Sequence, residues 1–361
     1  MADIADIRTE AARLCAIFED AGAVPVDCPI LQQAETLLDL YGEDIRARTY
    51  VTRDPSRGEM MLRPDFTVPV VERHMAEGAD PARYTYAGEV FRRQEDHPDR
   101  ASEYIQVGFE IFDRAAPATA DAEVFALIAG ALAPLGLKAV TGDVGLLIAM
   151  VSALDLSEDR RAALMRHIWR PARFTALVKR FAGLTPVPPT RAALLARADP
   201  MASLAPLIGL RGEDEIAARI AALRADAEEP PLHAEAVALI SAVLSVSETC
   251  PNALEQLRDI AVDMPAILPA LERFEARCEA LAAKGVAVES LQFEASFGRS
   301  SMEYYDGFVF GFYAEARPDL PPVATGGRYD ALTRRLGRGR EIPAVGGVIR
   351  PDMVLLLEAG S

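Results

Sequence analysis

Alternate residues of one strand-like run carry polar side chains that could bind a small ligand. In residues 104–112, Gln106 and Glu110 fall on one face of a strand, with Gly108 between them. Two polar side chains beside a missing one can form a small-molecule pocket on a sheet, although a solvent-facing strand side is the alternative. Arg92, in the preceding strand-like run, could join that face, where a guanidinium suits a carboxylate ligand.

Further carboxylate and hydroxyl groups stand where strands give way to helices. Asp65 and Thr67 lie two residues apart at such a junction, where helix capping is the alternative to ligand binding. Tyr304 and Tyr305 are consecutive in a strand-like run and point to opposite faces, so only one of them can face the same pocket. Tyr329 follows two glycines at a predicted helix start. Core packing with a polar tip is the alternative for these tyrosines.

The motifs of nucleophilic and metal-dependent catalysis are absent from the sequence. There is no GxSxG and no GxxxxGK[ST] phosphate loop, and the four histidines, among them His97, lie in unrelated segments. The four cysteines form no CxxC pair, so we expect reduced, buried thiols in a cytoplasmic protein. We therefore predict no catalytic residue, no metal site and no cofactor.

Composition excludes several classes of protein. The 361 residues include 38 Lys+Arg and 54 Asp+Glu, a net charge of −16, and only three lysines, which is unsuited to general nucleic-acid binding. A 50% apolar and 25% charged chain is typical of a globular protein of about two domains. No apolar run reaches about 18 residues and no signal peptide is evident, so neither a membrane span nor secretion is predicted.

The pattern of elements predicts an α+β fold. Strand and helix signals mix in residues 1–145 and return in 286–361, whereas 146–285 is rich in Ala, Leu and Arg and reads as a helical insertion. Runs 84–94 and 103–113 predict a long antiparallel hairpin around a polar loop. Strands joined by short loops favour an antiparallel sheet, which we expect the two outer stretches to complete together.

Shorter elements are predicted at four further places. A hairpin is expected within 50–63, a helix over 66–78, and strands over 290–297 and 303–314. Gly346 and Gly347 lie in a strand-like run, where we attribute them to tight packing.

Taken together, these segments resemble the catalytic domain of class II aminoacyl-tRNA synthetases, and of histidyl-tRNA synthetases in particular. The resemblance covers most of residues 20–125 and 290–358 and implies an antiparallel sheet flanked by helices. The segments that resemble motifs of this family are Asp27–Leu31 (the dimer-interface motif), Leu62–Thr67, Gly88–Arg93 with Tyr104–Phe112 (motif 2), Glu303–Gly307, Gly326–Asp330 and Pro343–Glu358 (motif 3).

The resemblance implies a histidine pocket. Its predicted residues are Asp65 and Thr67 for the α-amino group, Arg92 and Gln106 for the carboxylate, and Glu110, Tyr305 and Tyr329 for the imidazole.

Departures from the family pattern fall where a synthetase binds ATP. Met353 stands where the family has an ATP-binding arginine, and Arg350 where it has a glycine. Ser300 replaces the arginine of the activation step, and Arg299 is expected on the opposite strand face. Loss of two cations removes electrostatic stabilisation worth several kcal/mol. With eight residues after Met353, we also expect no anticodon-binding domain.

A site that retains residues for binding an amino acid but lacks residues for binding a nucleotide resembles the site of the regulatory subunits of ATP phosphoribosyltransferase. The resemblance implies a non-catalytic, cytoplasmic subunit that activates a short-form catalytic subunit in the first step of histidine biosynthesis and mediates feedback inhibition by histidine. It implies a homodimer within a hetero-octamer, with neither tRNA nor a membrane as partner. The alternatives are a histidyl-tRNA synthetase-like enzyme with residual histidine activation and a free-standing amino-acid-binding interaction protein.

Overall fold

The computed structural model of the protein describes residues 3–41, 45–94, 100–202, 209–299 and 304–360. Its strands are β1 (Val24–Pro25), β2 (Leu31–Gln33), β3 (Val51–Asp54), β4 (Gly58–Leu62), β5 (Ala82–Phe91), β6 (Glu103–Phe112), β7 (Lys138–Asp143), β8 (Ser247–Thr249), β9 (Gln292–Glu294), β10 (Phe308–Tyr313), β11 (Ala324–Arg328) and β12 (Ala344–Ile349). Its helices are α1 (Ile4–Asp20), α2 (Ala34–Tyr41), α3 (Ile45–Arg48), α4 (Thr67–Glu77), α5 (Pro117–Leu132), α6 (Val144–Ala153), α7 (Glu158–Arg166), α8 (Pro171–Phe181), α9 (Pro189–Leu195), α10 (Glu213–Glu228), α11 (Ala234–Ser245), α12 (Cys250–Asp263), α13 (Leu268–Ala283), α14 (Asp330–Leu336) and α15 (Pro351–Glu358).

The main sheet joins the two outer stretches of the chain. In the described part of the chain its strand order is β1-β5-β6-β12-β11-β10-β7-β9-β8. The hairpin of β5 and β6 is antiparallel, and β6 continues antiparallel into β12 and β11. Only the short pairs β1 with β5 and β7 with β9 are parallel among these strands. The α+β class and the predicted completion of one sheet by 1–145 and 286–361 are therefore confirmed.

Strand β6 is an interior strand of the main sheet, between β5 and β12, and is buried from Tyr104 to Phe112. Successive side chains of a strand point to opposite faces. Phe109 faces helix α1, where its ring stacks on Phe18 with centroids 5.1 Å apart. Gln106 and Glu110 lie on the other face, so the helices that cover one side of β6 leave its polar side chains to line a site on the other.

A small second sheet, ordered β2-β4-β3, contains the hairpin predicted within 50–63. Its turn is closed by Asp54, whose Oδ1 accepts hydrogen bonds from the backbone N–H groups of Ser56 and Arg57, each at 2.9 Å. The helix predicted over 66–78 is α4, which ends at Gly78. Both predictions are confirmed.

Helix α5 is the most membrane-like segment of the described chain. Residues Pro117–Leu135 are long and apolar enough, by length and composition, to cross a membrane. In this fold α5 lies against strands β6 and β12 and helix α13, and it buries Val124, Phe125 and Ile128. Packing in the core accounts for its apolar composition.

Residues 146–285 contain most of helix α6 and all of α7 to α13, as predicted, together with strand β8, which was not predicted. β8 pairs with β9 at the edge of the main sheet, and three residues are too few to produce a recognisable alternation. The strand predicted over 290–297 is too long, because the chain turns after Glu294. The strand predicted from 303 begins at Phe308. The domain boundaries at 145 and 285 stay a prediction.

Buried ion pairs attach helix α13 to the sheet. The Arg277 guanidinium donates to Asp143 Oδ2 at 2.8 Å and lies 3.5 Å from Asp121 Oδ2. The other oxygen of Asp121 accepts from Arg328 at 2.7 Å. Arg328 also donates to Asp330 at 3.0 Å. Arg328 and Asp330 flank Tyr329 in the sequence, so these ion pairs hold the backbone of a predicted site residue.

The four cysteines are free thiols. Cys250 and Cys278 are buried as predicted, whereas Cys15 and Cys28 are half-buried. Burial raises the pKa of the Cys28 thiol to about 11, which favours the protonated form.

Candidate functional site

A pocket of about 240 Å³ lies against strands β6 and β12 in the middle of the main sheet. All seven predicted site residues line it: Asp65, Thr67, Arg92, Gln106, Glu110, Tyr305 and Tyr329. Tyr304, Thr325 and Gly346 are among the other residues of its wall. The fold therefore brings together side chains from the start of α4, the β5–β6 hairpin and the segments around β10 to β12.

Glu110 forms the floor of this pocket and is only 1% exposed. Its Oε1 accepts a hydrogen bond from the Tyr86 hydroxyl at 2.7 Å, and its Oε2 accepts one from the Tyr329 hydroxyl at 2.6 Å. Thr67 Oγ1 donates to Oε1 at the longer distance of 3.5 Å. The carboxyl group is thus fixed in orientation by hydroxyls from three separate segments.

Glycine at position 346 makes room for this carboxyl group. Gly346 is the β12 residue paired with Glu110 of β6. A Cβ atom at Gly346 would lie 1.4 Å from Glu110 Oε2, so no other residue leaves the carboxylate in place. The attribution of Gly346 to tight packing is confirmed, and the group packed against it belongs to the site.

Burial dominates the electrostatics of Glu110. It raises the pKa of the carboxyl group to about 7, with the hydroxyl donors Tyr329 and Tyr86 acting in the opposite direction. A carboxyl group with this pKa changes charge near neutral pH. Its protonation is therefore sensitive to any charge that a ligand brings.

Asp65 both caps helix α4 and faces the pocket. Its Oδ1 accepts from the backbone N–H of Thr67 at 3.1 Å, which is the capping role considered from the sequence. Its Oδ2 is buried and has no hydrogen-bond partner in the described protein. Burial raises the pKa of Asp65, although the Arg92 guanidinium opposes this shift. A buried, unpartnered carboxylate oxygen is an acceptor for a ligand donor such as an ammonium group.

Gln106 offers a second such acceptor. The side chain is 2% exposed, and its Oε1 also lacks a hydrogen-bond partner within the described ranges. The predicted sharing of one face by Gln106 and Glu110 is confirmed. As oriented here, Gln106 presents an acceptor to the pocket; its assignment to a ligand carboxylate stays a prediction.

Space above Gly108 is occupied, contrary to the expectation that it would be open to a ligand. A Cβ at Gly108 would lie 2.1 Å from the Tyr86 ring, so the glycine admits that ring beside Glu110. The Tyr86 ring also stacks on Phe66, with centroids 4.3 Å apart. The sequence analysis missed Tyr86, although it lies in the predicted hairpin strand opposite Gly108.

Tyr304 and Tyr305 both line the pocket, so the prediction that only one could do so is wrong. The alternation rule fails because residues 304–307 precede β10 and are not in a strand. The Tyr304 hydroxyl donates to Thr67 Oγ1 at 3.1 Å. Tyr305 is 7% exposed, and burial raises the pKa of its hydroxyl.

The predicted position of Arg299 is also wrong. It lies in a turn after β9 rather than in a strand, and its Nε donates to the carbonyl of Ile168 at 2.8 Å. Its guanidinium lies 4.8 Å from the centre of the Phe174 ring in α8. Arg299 therefore binds the helices of 146–285. Ser300, Glu303 and His97 lie outside the described residues.

A second cavity, of about 270 Å³, adjoins the pocket and shares Arg92 and Gln106 with it. Its wall contains Arg350, whose guanidinium donates to Asp352 Oδ2 at 2.7 Å and lies 4.0 Å from the centre of the Tyr104 ring. The cavity is rich in guanidinium groups, since Arg48, Arg92, Arg93 and Arg100 line it as well. Met353 packs against the core. Across the described ranges, no three His, Cys, Asp or Glu side chains form a metal-binding cluster.

Comparison with known proteins shows which family the chain resembles. The histidyl-tRNA synthetase family model matches residues 2–354. A protein of Brucella anthropi named ATP phosphoribosyltransferase regulatory subunit is 33% identical over 356 residues, 92% of each chain. A protein of the same name from Brucella canis is 33% identical over 353 residues, again 92% of each chain.

Two solved structures show the same fold. A Bacillus halodurans protein described as an ATP phosphoribosyltransferase regulatory subunit/histidyl-tRNA synthetase has a TM-score of 0.68 at 21% identity, covering 99% of this chain and 81% of that one. A histidine–tRNA ligase subunit from Alicyclobacillus acidocaldarius has a TM-score of 0.61 at 24% identity, covering 100% and 96%.

Proposed function

The chain belongs to the family of ATP phosphoribosyltransferase regulatory subunits, which has the histidyl-tRNA synthetase fold, and from this we propose that it binds histidine in the pocket at Glu110. On this proposal the chain activates a short-form catalytic subunit, which joins ATP to phosphoribosyl pyrophosphate in the first step of histidine biosynthesis. Histidine in the pocket inhibits the assembled enzyme. The chain itself carries out no aminoacylation.

The observation that carries the proposal is the set of buried polar atoms left for a ligand. Asp65 Oδ2 and Gln106 Oε1 are acceptors without a described partner, in one pocket with the Arg92 guanidinium. Buried polar groups are normally hydrogen-bonded, so such atoms mark where a ligand binds. An ammonium group fits the acceptors and a carboxylate fits the guanidinium, and together these are the main-chain groups of a free amino acid.

Glu110 supports histidine as the amino acid. Its carboxyl group lies on the pocket floor, where it can accept an N–H of an imidazole ring beside Tyr305 and Tyr329. A pocket of about 240 Å³ is of the size of a small amino acid ligand.

The adjoining cavity supports a loss of nucleotide binding. Arg350 places a long side chain over Tyr104 at a position where the synthetase pattern has glycine. Its charge is already paired with Asp352. Met353 cannot bind a phosphate where the pattern has arginine.

Regulation follows if histidine binds two states of the assembly with different affinity. We propose a homodimer, formed through Asp27–Leu31, within a hetero-octamer with the catalytic subunit. We also propose that the protein acts in the cytoplasm, with histidine as effector and without tRNA or a membrane as partner.

The test is a pair of calorimetric titrations of the purified chain, one with histidine and one with ATP, followed by mixing with a short-form catalytic subunit. We expect histidine to bind, ATP not to bind, and the mixture to gain activity that histidine suppresses. Absence of histidine binding, or of activation on mixing, would refute the proposal.

The arginines of the second cavity favour one competing candidate, a histidyl-tRNA synthetase-like enzyme that still activates histidine. Four of them, Arg48, Arg92, Arg93 and Arg100, line a cavity that opens onto the amino-acid pocket. Such an enzyme exchanges pyrophosphate with ATP in the presence of histidine. We expect no exchange, and a measurable rate would favour this competitor.

A further inference from the structure

The charges of the pocket do not balance when it holds a zwitterionic amino acid. In the described lining, Asp65 and Glu110 carry carboxyl groups and Arg92 carries the guanidinium. An amino acid brings one carboxylate and one ammonium group, so it adds no net charge to these two carboxyl groups and one guanidinium. Ionised Glu110 is then left without a cation, and a buried, unpaired carboxylate is costly.

The hydrogen-bond partners of Glu110 do not supply the missing charge. Its two oxygens accept from the hydroxyls of Tyr86 and Tyr329, at 2.7 and 2.6 Å. Oε1 also accepts from Thr67 Oγ1 at 3.5 Å, so it is Oε2 that keeps a further lone pair for a ligand N–H. A neutral imidazole ring has one N–H donor, whereas the protonated ring has two donors and a positive charge.

We propose that the pocket binds the side-chain ring of histidine in its protonated, cationic form, and that Tyr86 is a positioning residue that orients Glu110 for this contact. The inference rests on the proposed function and specifies the ionic state of its ligand. It also assigns a role to a residue outside the pocket wall.

Tyr86 acts through Glu110. Its ring lies beneath the pocket, over the backbone of Gly108 and stacked on Phe66. It is 2% exposed, so its hydroxyl has a fixed direction, and that direction is toward Glu110 Oε1. A ligand would meet the carboxyl group and not the tyrosine.

Proton uptake on binding is the direct consequence. Burial raises the pKa of Glu110 to about 7, and the ring of free histidine has a pKa of roughly 6.5. At pH 8 both groups are mostly deprotonated when apart, but the bound pair shares one proton, so binding takes up ~0.9 proton.

The neighbouring groups discussed next do not account for the proton that is taken up near pH 8. Burial raises the pKa of the Tyr86, Tyr305 and Tyr329 hydroxyls, which keeps them neutral. Burial also raises the pKa of Asp65. The positive charge of a bound ammonium group acts in the opposite direction and lowers that pKa. Among the described residues, the groups that face Glu110 are Tyr86 from β5, Asp65 and Thr67 at the start of α4, Tyr304, Tyr305, Tyr329 and Arg92.

The experiment is calorimetry of the full chain with L-histidine at pH 8, in two buffers that differ in ionisation enthalpy. The difference in observed heat gives the number of protons taken up. We expect close to one proton per histidine, and a fall in affinity that approaches tenfold per pH unit above pH 8. Binding without proton uptake overturns this inference alone, whereas no histidine binding from pH 6.5 to 8.5 overturns the proposed function.

Two tyrosine variants test the role of Tyr86. Tyr86→Phe should weaken histidine binding about tenfold or more. In this variant the fall in histidine affinity should also begin at a higher pH, because loss of the Tyr86 hydroxyl donor raises the pKa of Glu110. Tyr84→Phe is the matched control: Tyr84 lies on the same strand face, and its hydroxyl contacts His74 Nδ1 at 3.1 Å.

Tyr84→Phe should keep the affinity and the pH profile of the wild type. Indistinguishable behaviour of the two variants overturns the role of Tyr86. If Tyr86→Phe fails to fold, Glu110→Gln is the second variant. It should bind histidine more weakly and without proton uptake at pH 8, and unchanged uptake would contradict the inference.

Discussion

Gly346→Ala should weaken histidine binding at least tenfold, because the new methyl group would occupy the position of the Glu110 carboxylate. The Cβ atom would lie 1.4 Å from Glu110 Oε2 and 2.3 Å from its Cδ. Ordinary van der Waals contact needs 3.4–4 Å, so the carboxyl group must move by about 2 Å. The 2.6 Å hydrogen bond from Tyr329 cannot survive that movement.

The expected magnitude has two contributions. Insertion of a methyl group into a packed site costs ~1–3 kcal/mol of stability. Loss of a hydrogen bond to a charged group costs a further ~1.5–3 kcal/mol. Since ~1.4 kcal/mol is a factor of ten in affinity, histidine binding should weaken at least tenfold. Calorimetric titration and urea unfolding measure the two effects separately.

Gly347→Ala is the matched control for this substitution. Its Cβ would lie 2.6 Å from Ile128 Cδ1 and 2.9 Å from the Phe310 ring, on the opposite face of β12. It should lower the free energy of unfolding by a similar ~1–3 kcal/mol without displacing Glu110. Wild-type histidine affinity in Gly346→Ala would refute the geometry of the pocket floor.

Four further substitutions test the pocket and its support. Glu110→Ala should weaken histidine binding about tenfold or more in calorimetry, since a contact to a charged group contributes ~1.5–3 kcal/mol; unchanged affinity would mean that the pocket is misassigned. Asp65→Asn should weaken binding of histidine more than binding of imidazole alone, which lacks the ammonium group, and equal losses would contradict its role. Tyr305→Phe should raise the histidine concentration needed to inhibit the assembled enzyme several-fold, measured as half-maximal inhibition. Arg277→Met should lower the free energy of unfolding in urea by ~3–5 kcal/mol, because it leaves buried Asp143 unpaired. Its control, Arg258→Met, removes an exposed ion pair with Glu275 and should cost less than ~1 kcal/mol.

Several of the site residues could be predicted from the sequence because their positions follow from local rules of secondary structure. Gln106 and Glu110 share a face by strand alternation, and Asp65 and Thr67 lie at a helix start, whatever the rest of the fold does. Their resemblance to a family motif then placed the distant Tyr305 and Tyr329 in the same pocket. The hairpin of β5 and β6 was predicted by the same alternation.

Features that depend on tertiary contacts could not be predicted from the sequence. Nothing in the sequence around Tyr86 indicates that its ring fills the space over Gly108, and Tyr304 was assigned by a strand rule that does not apply to its turn. Strand β8 is stabilised by its neighbour β9 rather than by its own pattern. The ion pair between Arg277 and Asp143 joins residues 134 positions apart, a separation at which periodicity carries no information.

The hydrogen bond between Glu110 and Tyr329 joins residues 219 positions apart in the sequence. Because a chain is synthesised from its N-terminus, β6 leaves the ribosome long before β11 and β12 exist to complete the pocket. The proposed histidine pocket therefore cannot form until translation has passed the helical stretch and the last strands have inserted into the sheet. Contacts between residues so far apart in the sequence place completion of this pocket among the slow, non-local steps of folding.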